Sequence, residues 1–132
     1  MDTTHRLTPQ LLRTQRTIAL ETRKRDGTWV ATPVSVVVDD DGRMYFRAYD
    51  ASGKYKRLRN FPQVRVAPAT TLRGRPTGPA VTGLAHRVTG TDEARARALL
   101  AAKYPVLQRR LVPWMHRRKG WETVHYELTL DA

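Results

Sequence analysis

Short runs in which apolar and polar residues alternate constrain the fold of this chain more than any other feature of its sequence. In 44–49 and in 123–130 every second residue is apolar, and a period of two sets alternate side chains on opposite faces of a β-strand. Weaker versions of the pattern predict four more strands, over 17–24, 28–38, 63–67 and 78–88. Asp26-Gly27 and the run from Asp39 to Gly42 predict the tight turns that join the first three strands.

Two helices are predicted between the later strands. Ser52 and Gly53 open a short helix over 54–60, and Thr91 caps a second helix that bends at Pro105. Residues 1–12 are expected to be a loosely attached segment. An antiparallel sheet of short strands loses its exposed edges by closing on itself. We therefore predict one domain over 1–132, mainly β with inserted helices, built as a small six-stranded barrel.

The basic residues are concentrated in one half of the chain. The sequence has 24 Lys and Arg against 12 Asp and Glu, a formal net charge of +12. Residues 51–121 hold 16 of the basic residues and only two acids. A one-sided excess of this kind attracts anions, so we expect this half of the protein to face a negatively charged partner.

Several classes of protein are not supported. The chain has no Cys, and its four His lie far apart without carboxylates at ligand spacing, so no metal site is predicted. The nucleophile motif Gly-x-Ser-x-Gly is missing. No apolar run approaches the roughly 18 residues that cross a bilayer, and the first 20 residues lack the apolar core of a signal peptide. We expect a cytoplasmic protein with no membrane partner.

The stretch from Ser52 to Arg59 carries the clearest functional pattern. Ser52 and Gly53 cap a helix whose free N–H groups favour an anion. Lys54, Lys56 and Arg57 supply charged donors around the same point. This combination predicts a phosphate site, and the alternative interpretation is a basic helix that is simply solvated. The spacing is not that of a P-loop, so nucleotide hydrolysis does not follow.

Five segments, in order along the chain, resemble a known family: Thr22–Gly27, Thr32–Val34, Tyr45–Arg47, Ser52–Asn60 and Arg73–Pro79. They resemble the pyridoxamine 5'-phosphate oxidase-like (PPOX class) family. More narrowly, they are similar to its F420-dependent oxidoreductases, the B-type flavin/deazaflavin branch typical of actinobacteria. The likeness runs from about residue 19 to 130 and includes Lys103-Tyr104-Pro105.

The resemblance implies an FMN-binding type of split β-barrel that works as a homodimer. Members of the branch hold coenzyme F420, a 5-deazaflavin, in a groove between subunits and transfer hydride from its reduced form to an unsaturated small-molecule substrate. Some relatives bind FMN instead. An FMN-dependent oxidoreductase, or a flavin carrier with the same fold, is therefore the alternative to an F420-dependent reductase.

Carried over to this chain, the resemblance sets Pro33 and Val34 with their backbone toward the cofactor ring and Arg47 and Tyr49 at its border. No catalytic residue is defined. Tyr49 is the candidate proton donor if a side chain rather than water donates the proton, and its alternative role is packing in the barrel.

The same resemblance assigns the cofactor phosphate to Ser52, Lys54, Lys56 and Arg57. It also implies that Thr77 and Gly78 of the partner subunit would line the groove. Coenzyme F420 carries a phosphodiester and an oligoglutamate tail, and the acid-free stretch 51–91 holds eight basic residues. FMN has one phosphate and needs fewer cations, so this charge favours coenzyme F420.

A non-enzymatic nucleic-acid-binding protein is the rival from another class. Its warrant is the net charge, together with Trp114 and Trp121 among several arginines, because aromatic rings can stack on bases. An amphipathic helix that packs its aromatic residues inward explains the two tryptophans at least as well. The recognised motifs of nucleic-acid-binding domains are missing, so this is the less favoured interpretation.

Overall fold

The computed structural model describes residues 17–50, 52–70, 75–104 and 122–131. The elements are β1 (Thr17–Arg23), β2 (Trp29–Val38), β3 (Met44–Tyr49), α1 (Gly53–Asn60), β4 (Gln63–Pro68), β5 (Val81–Val88), α2 (Gly90–Lys103) and β6 (Thr123–Leu130). The strands form a closed antiparallel barrel in the order β1-β2-β3-β6-β5-β4. The predicted six-stranded barrel is confirmed, and the predicted segment 1–12 and the bend at Pro105 lie outside the described residues.

The interior of the barrel collects one side chain in two from every strand. Ile18 and Leu20 of β1 point inward and are fully buried, as is Phe46 of β3, whose ring stacks on Tyr126 of β6 at 5.1 Å. The strands follow the apolar alternation because this is the arrangement that removes the most apolar surface from water. Helix α1 closes one end of the barrel by inserting Leu58 into this core.

Aspartate side chains fix the two predicted turns. The Asp26 carboxylate accepts hydrogen bonds from the backbone N–H (3.0 Å) and hydroxyl (2.7 Å) of Thr28, and Gly27 adopts a φ of 91°. The buried Asp39 carboxylate accepts from the backbone N–H groups of Asp41 (2.9 Å) and Arg43 (2.8 Å). The acidic run is therefore a turn former, as its position before Gly42 indicates.

The outer face of β3 is buried, although its alternating pattern predicts a half-exposed strand. Tyr45 is completely buried and belongs to a second apolar cluster with Val37, Ala96, Leu100 and Tyr104. The last three residues come from α2 and the turn that ends it, so the helix covers the outside of the sheet. A period of two reports only that side chains alternate, and it does not report which outer faces another element covers.

Helix α2 begins two residues earlier than predicted, since Thr89 and not Thr91 occupies the cap position. Gly90 is its first residue, with a φ of 63°, and Thr89 precedes it without a side-chain cap, so Thr91 lies inside the first turn. Asp92 and Glu93 remain in that turn, where their charges are favourable toward the positive end of the helix dipole.

Replacing Leu100 by alanine is expected to lower the free energy of unfolding by about 2–5 kcal/mol, because it empties the centre of the outer cluster. Its neighbour Leu99 is only partly buried at the edge of the same cluster, so Leu99→Ala is the matched control with a smaller loss. Urea unfolding followed by circular dichroism measures both. Equal losses in the two variants would contradict the packing of α2 described here.

Candidate functional site

The wall of the barrel opens where β2 and β3 stop pairing. We call this opening the β2–β3 seam. These strands pair only through Val36–Phe46, Val37–Tyr45 and Val38–Met44, whereas β1 pairs with β2 over seven positions. Continuing the short ladder would set Ser35 opposite Arg47, but the ladder ends before that pair. The first seven residues of β2 therefore have their strand partner on one side alone within the described chain.

Pro33 and Val34 lie on this one-sided part of β2. Pro33 is exposed and has no N–H to donate, which suits a stretch without a second partner strand. The Val34 side chain is buried in the barrel core. Its backbone is consequently the part that a ligand outside the barrel can meet.

The end of α2 is fastened to β2 at the edge of the split. Val36 is the β2 residue at which the pairing with β3 begins. Its carbonyl oxygen accepts hydrogen bonds from Lys103 Nζ and from the Tyr104 hydroxyl, both at 2.8 Å. The sequence resemblance contains Lys103-Tyr104 but gives the pair no role. The structure shows that it fixes the position of the strand at the seam.

Arg47 and Tyr49 lie on β3 along the other side of the split. Both side chains point away from the barrel interior, opposite His125 and Thr123 of β6. Arg47 is only 9% exposed, and burial lowers its pKa. The nearby Tyr49 and Tyr104 act in the opposite direction and raise this pKa. In the single chain Arg47 is thus largely covered, whereas Tyr49 is half-buried at the strand end.

The start of α1 is built as predicted. The Ser52 hydroxyl accepts a hydrogen bond from the backbone N–H of Tyr55 at 3.2 Å, and the Ser52 N–H donates to the Tyr49 carbonyl at 2.9 Å. A capping serine orients the first free N–H groups of a helix. The strand that carries Arg47 and Tyr49 therefore leads directly into a helix N-terminus.

Lys54, Lys56 and Arg57 crowd this N-terminus. The first turn holds no acidic residue, and none of the three forms an ion pair with a carboxylate of the described chain. Burial lowers the pKa of Lys54, and the charge of Arg57 lowers it further. Cations are unfavourable at the positive end of a helix, so this arrangement has an electrostatic cost that an anion would offset.

Arg57 is held in place by two contacts. Its Nε donates to the buried Thr22 hydroxyl of β1 at 2.5 Å. The guanidinium also lies over Gly53, where a Cβ atom would stand 2.6 Å from a guanidinium nitrogen. Gly53 thus gives Arg57 room to fold back toward the start of the helix.

A basic groove of about 380 Å³ continues from these residues. We call it the basic groove; Lys24, Arg25, Gly53, Lys56, Arg57 and Asn60 line it. Lys24 and Arg25 come from the β1–β2 turn and were not predicted as site residues. Their proximity to α1 is a tertiary contact, and the only sequence signal for it is their charge within the resembling segment Thr22–Gly27.

Thr77 and Gly78 lie elsewhere in the single chain. The Thr77 N–H donates to the Pro68 carbonyl at 2.8 Å. Gly78 lines a cavity of about 170 Å³ on the outer face of β1 and β2, with Ala19, Ala31 and Ala67. The two residues are therefore not among those that line the basic groove of their own chain.

Two further functional classes receive no support from the described residues. Over 17–50, 52–70, 75–104 and 122–131, no group of three or more His, Asp or Glu is placed to hold a metal ion. The two helices of that same part of the chain are too short or too polar to span a bilayer. Trp114 and Trp121, the aromatic residues of the nucleic-acid interpretation, lie outside the described residues.

The fold and the β2–β3 seam define the class of structure: a split β-barrel, here with a groove that basic residues line. No protein-family model matches the sequence, and no curated protein matches it either. The solved structures that match share the barrel and include proteins of the pyridoxamine 5'-phosphate oxidase-like kind.

Three of these structures illustrate the range. A protein of unknown function from Agrobacterium tumefaciens has a TM-score of 0.72 at 21% identity; the match covers 92% of this chain and 51% of that one, so this chain spans about half its length. The heme storage protein HutZ from Vibrio cholerae has a TM-score of 0.68 at 11% identity, covering 93% and 87%. A candidate pyridoxamine 5'-phosphate oxidase from Listeria innocua has a TM-score of 0.60 at 15% identity, covering 93% and 90%.

A buried histidine beside Arg47 is a feature that the sequence does not reveal. His125 is fully buried, and its Nδ1 lies 3.5 Å from a Glu93 carboxylate oxygen of α2. Burial lowers the pKa of His125, and the nearby charges of Arg97 and Arg47 act in the same direction, while Glu93 opposes them. The alternation of β6 predicts an outward polar position here, and α2 covers it.

Because the folded state lowers the pKa of His125, the unfolded chain binds this proton more readily. The contribution of His125 to the free energy of unfolding is therefore fully present above the ordinary histidine pKa of about 6.5. As the pH falls below this value, the free energy of unfolding decreases by at most about 1.4 kcal/mol per pH unit. Unfolding free energies measured from pH 8 to pH 5 should fall more steeply for the native sequence than for His125→Gln. Parallel curves would contradict this account.

Proposed function

We propose that this protein is an F420H2-dependent reductase that holds the cofactor along the β2–β3 seam and the basic groove. The observation that carries the proposal is the group of cations at the start of α1. Lys54 and Arg57 are close enough for the charge of one to lower the pKa of the other, and no carboxylate of the described chain pairs with them.

A phosphate fits this place on chemical grounds. The capped N-terminus of α1 presents free N–H groups and the positive end of a dipole. Lys54 and Arg57 add charged donors, and a phosphate between them would offset their mutual repulsion. Ser52, Lys54, Lys56 and Arg57 are the residues that would hold it.

The extent of the basic groove favours coenzyme F420 over FMN. Beyond the start of α1, the groove is lined by Lys24 and Arg25, which exceed what a single phosphate requires. An oligoglutamate tail would place further carboxylates along these cations. FMN remains the alternative cofactor for the same residues, in an oxidoreductase or a flavin carrier.

The seam supplies the surface for the cofactor ring. Pro33 and the backbone of Val34 are available on β2, and Tyr49 stands on β3 across the opening. When bound, the reduced cofactor supplies a hydride for an electrophilic double bond, and the protein contributes orientation and electrostatics. Arg47, which is buried on β3, would border this surface. Tyr49 is our candidate for donating the proton.

Replacing Lys54 and Arg57 together by alanine is expected to weaken the binding of coenzyme F420 by more than about tenfold, because each charged hydrogen bond to phosphate contributes about 1.5–3 kcal/mol. Equilibrium titration of the purified protein with coenzyme F420, FMN, hemin and a DNA duplex measures the preference. Arg97→Ala removes a charge from an exposed position on α2 and is the control that keeps wild-type affinity.

The arms of this titration separate the candidate functions. Tighter binding of FMN than of coenzyme F420 would favour the flavin alternative, and tight binding of hemin alone would overturn the reductase. DNA binding whose affinity falls steeply with salt would favour the nucleic-acid protein. An unchanged affinity of the double variant for coenzyme F420 would remove Lys54 and Arg57 from the site. Since Arg57→Ala also deletes the bond to Thr22, unfolding is measured in parallel.

We propose further that two copies of the chain assemble through the outer face of β1 and β2. Ala31 and Pro33 are exposed there, next to Ala19 and the cavity that Gly78 lines. Small side chains allow another backbone to come close. A partner on this face would bring its own Thr77 and Gly78 toward the seam.

Introducing a charge on this face should separate the two copies. Ala31→Lys is expected to halve the mass measured by analytical ultracentrifugation, because an unpaired charge in an interface core is strongly unfavourable. Thr129→Lys adds the same charge at an exposed position on β6 and is expected to leave the dimer intact. A monomeric wild-type protein would contradict the proposal.

A further inference from the structure

A second cavity lies on the other side of α1 from the basic groove. Its volume is about 280 Å³, and Tyr55, Leu58 and Arg59 of α1, His86 and Arg87 of β5 and Tyr126 of β6 line it. None of the residues that line the basic groove takes part in this second cavity. The function proposed above makes no use of it.

Tyr126 provides a polar group in this cavity. The residue is 3% exposed and its ring stacks on Phe46 in the core. Burial raises the pKa of its hydroxyl to about 12, and nearby Tyr55 raises it further, so the hydroxyl keeps its proton. Within the described chain this hydroxyl makes no hydrogen bond. Because Tyr126 lies in the cavity wall, a ligand in the cavity can reach its hydroxyl.

The charges around the cavity are positive. Arg87 pairs with Tyr126 across the β5–β6 ladder, and its charge acts on the tyrosine hydroxyl. Arg59 lies over the Tyr55 ring at 5.8 Å. The carboxylate opposite His86 in the ladder belongs to Glu127, and it is engaged by Arg43 at 2.6 Å. Among the described residues that line the cavity, none carries a carboxylate.

We propose that this cavity binds a small aromatic carboxylate. The carboxylate would accept hydrogen bonds from Arg87 and the Tyr126 hydroxyl, and the ring would pack against Tyr55 and Leu58. A volume of about 280 Å³ lies at the lower end of the range of about 300–1,000 Å³ for ligand pockets, so it suits a ligand with one ring. The site goes beyond the proposed cofactor function and does not depend on it.

Sodium benzoate is the probe, titrated at constant ionic strength into the isotope-labelled full chain and followed by NMR. We expect saturable shifts of the backbone amides of Tyr55, Ala85 and Arg87. Benzyl alcohol, a neutral molecule of similar shape, is expected to bind about tenfold more weakly, because it lacks the charge that the arginines recognise.

Three variants test the polar contacts. Arg87→Gln should weaken benzoate binding about tenfold, and Tyr126→Phe, which keeps the stacked ring, about threefold. Arg75→Gln removes the same charge from an exposed residue outside the cavity and should change nothing. Arg59→Gln serves if Arg87→Gln loses the wild-type spectrum.

Several results would overturn the proposal. Equal affinities for benzoate and benzyl alcohol would show an apolar site without anion recognition. Shifts centred on Lys24 and Gly53 would place benzoate in the basic groove. Unchanged affinity in both Arg87→Gln and Tyr126→Phe would exclude the assigned contacts. Because no arm uses coenzyme F420, failure here leaves the reductase proposal standing, and failure of that proposal leaves this one testable.

Discussion

The hydrogen-bonded pairing of β3 with β6 and of β5 with β6 is the constraint on which the rest of this structure depends. The two ladders contain six pairs each, whereas β2 and β3 share three. The chain's last described strand therefore holds the barrel closed, while the β2–β3 seam opens toward Pro33. The candidate site can form beside β3 because this strand pairs along its whole length with β6 but only partly with β2.

The strands, their turns and the start of α1 could be predicted from the sequence because each rests on a local rule. Alternation in 44–49 and 123–130 indicates strands, and Ser52 before Gly53 indicates a helix start. The coverage of outer faces could not be predicted in the same way. Tyr45 and His125 have the same spacing as solvent-facing residues, and only the packing of α2 buries them.

Part of the candidate site could also be predicted from the sequence, because that part rests on a local rule. Lys54, Lys56 and Arg57 follow a capping serine directly, so their convergence is local. Lys24 and Arg25 join them from a distant turn, and Lys103 and Tyr104 reach the Val36 carbonyl from the end of α2. Contacts between residues this far apart follow from the topology of the barrel, which spacing along the chain does not report.

Helix α1 forms a wall of both cavities, and its neighbouring residues serve opposite sides. Tyr55 faces one cavity and Lys56 the other. Each residue of an α-helix is turned by about 100° from the one before it. A single insertion or deletion early in α1 would therefore turn Lys56 and Arg57 away from the basic groove and pull Leu58 out of the barrel end. We therefore expect this short helix to tolerate substitutions on its largely polar surface but not insertions or deletions that change its length.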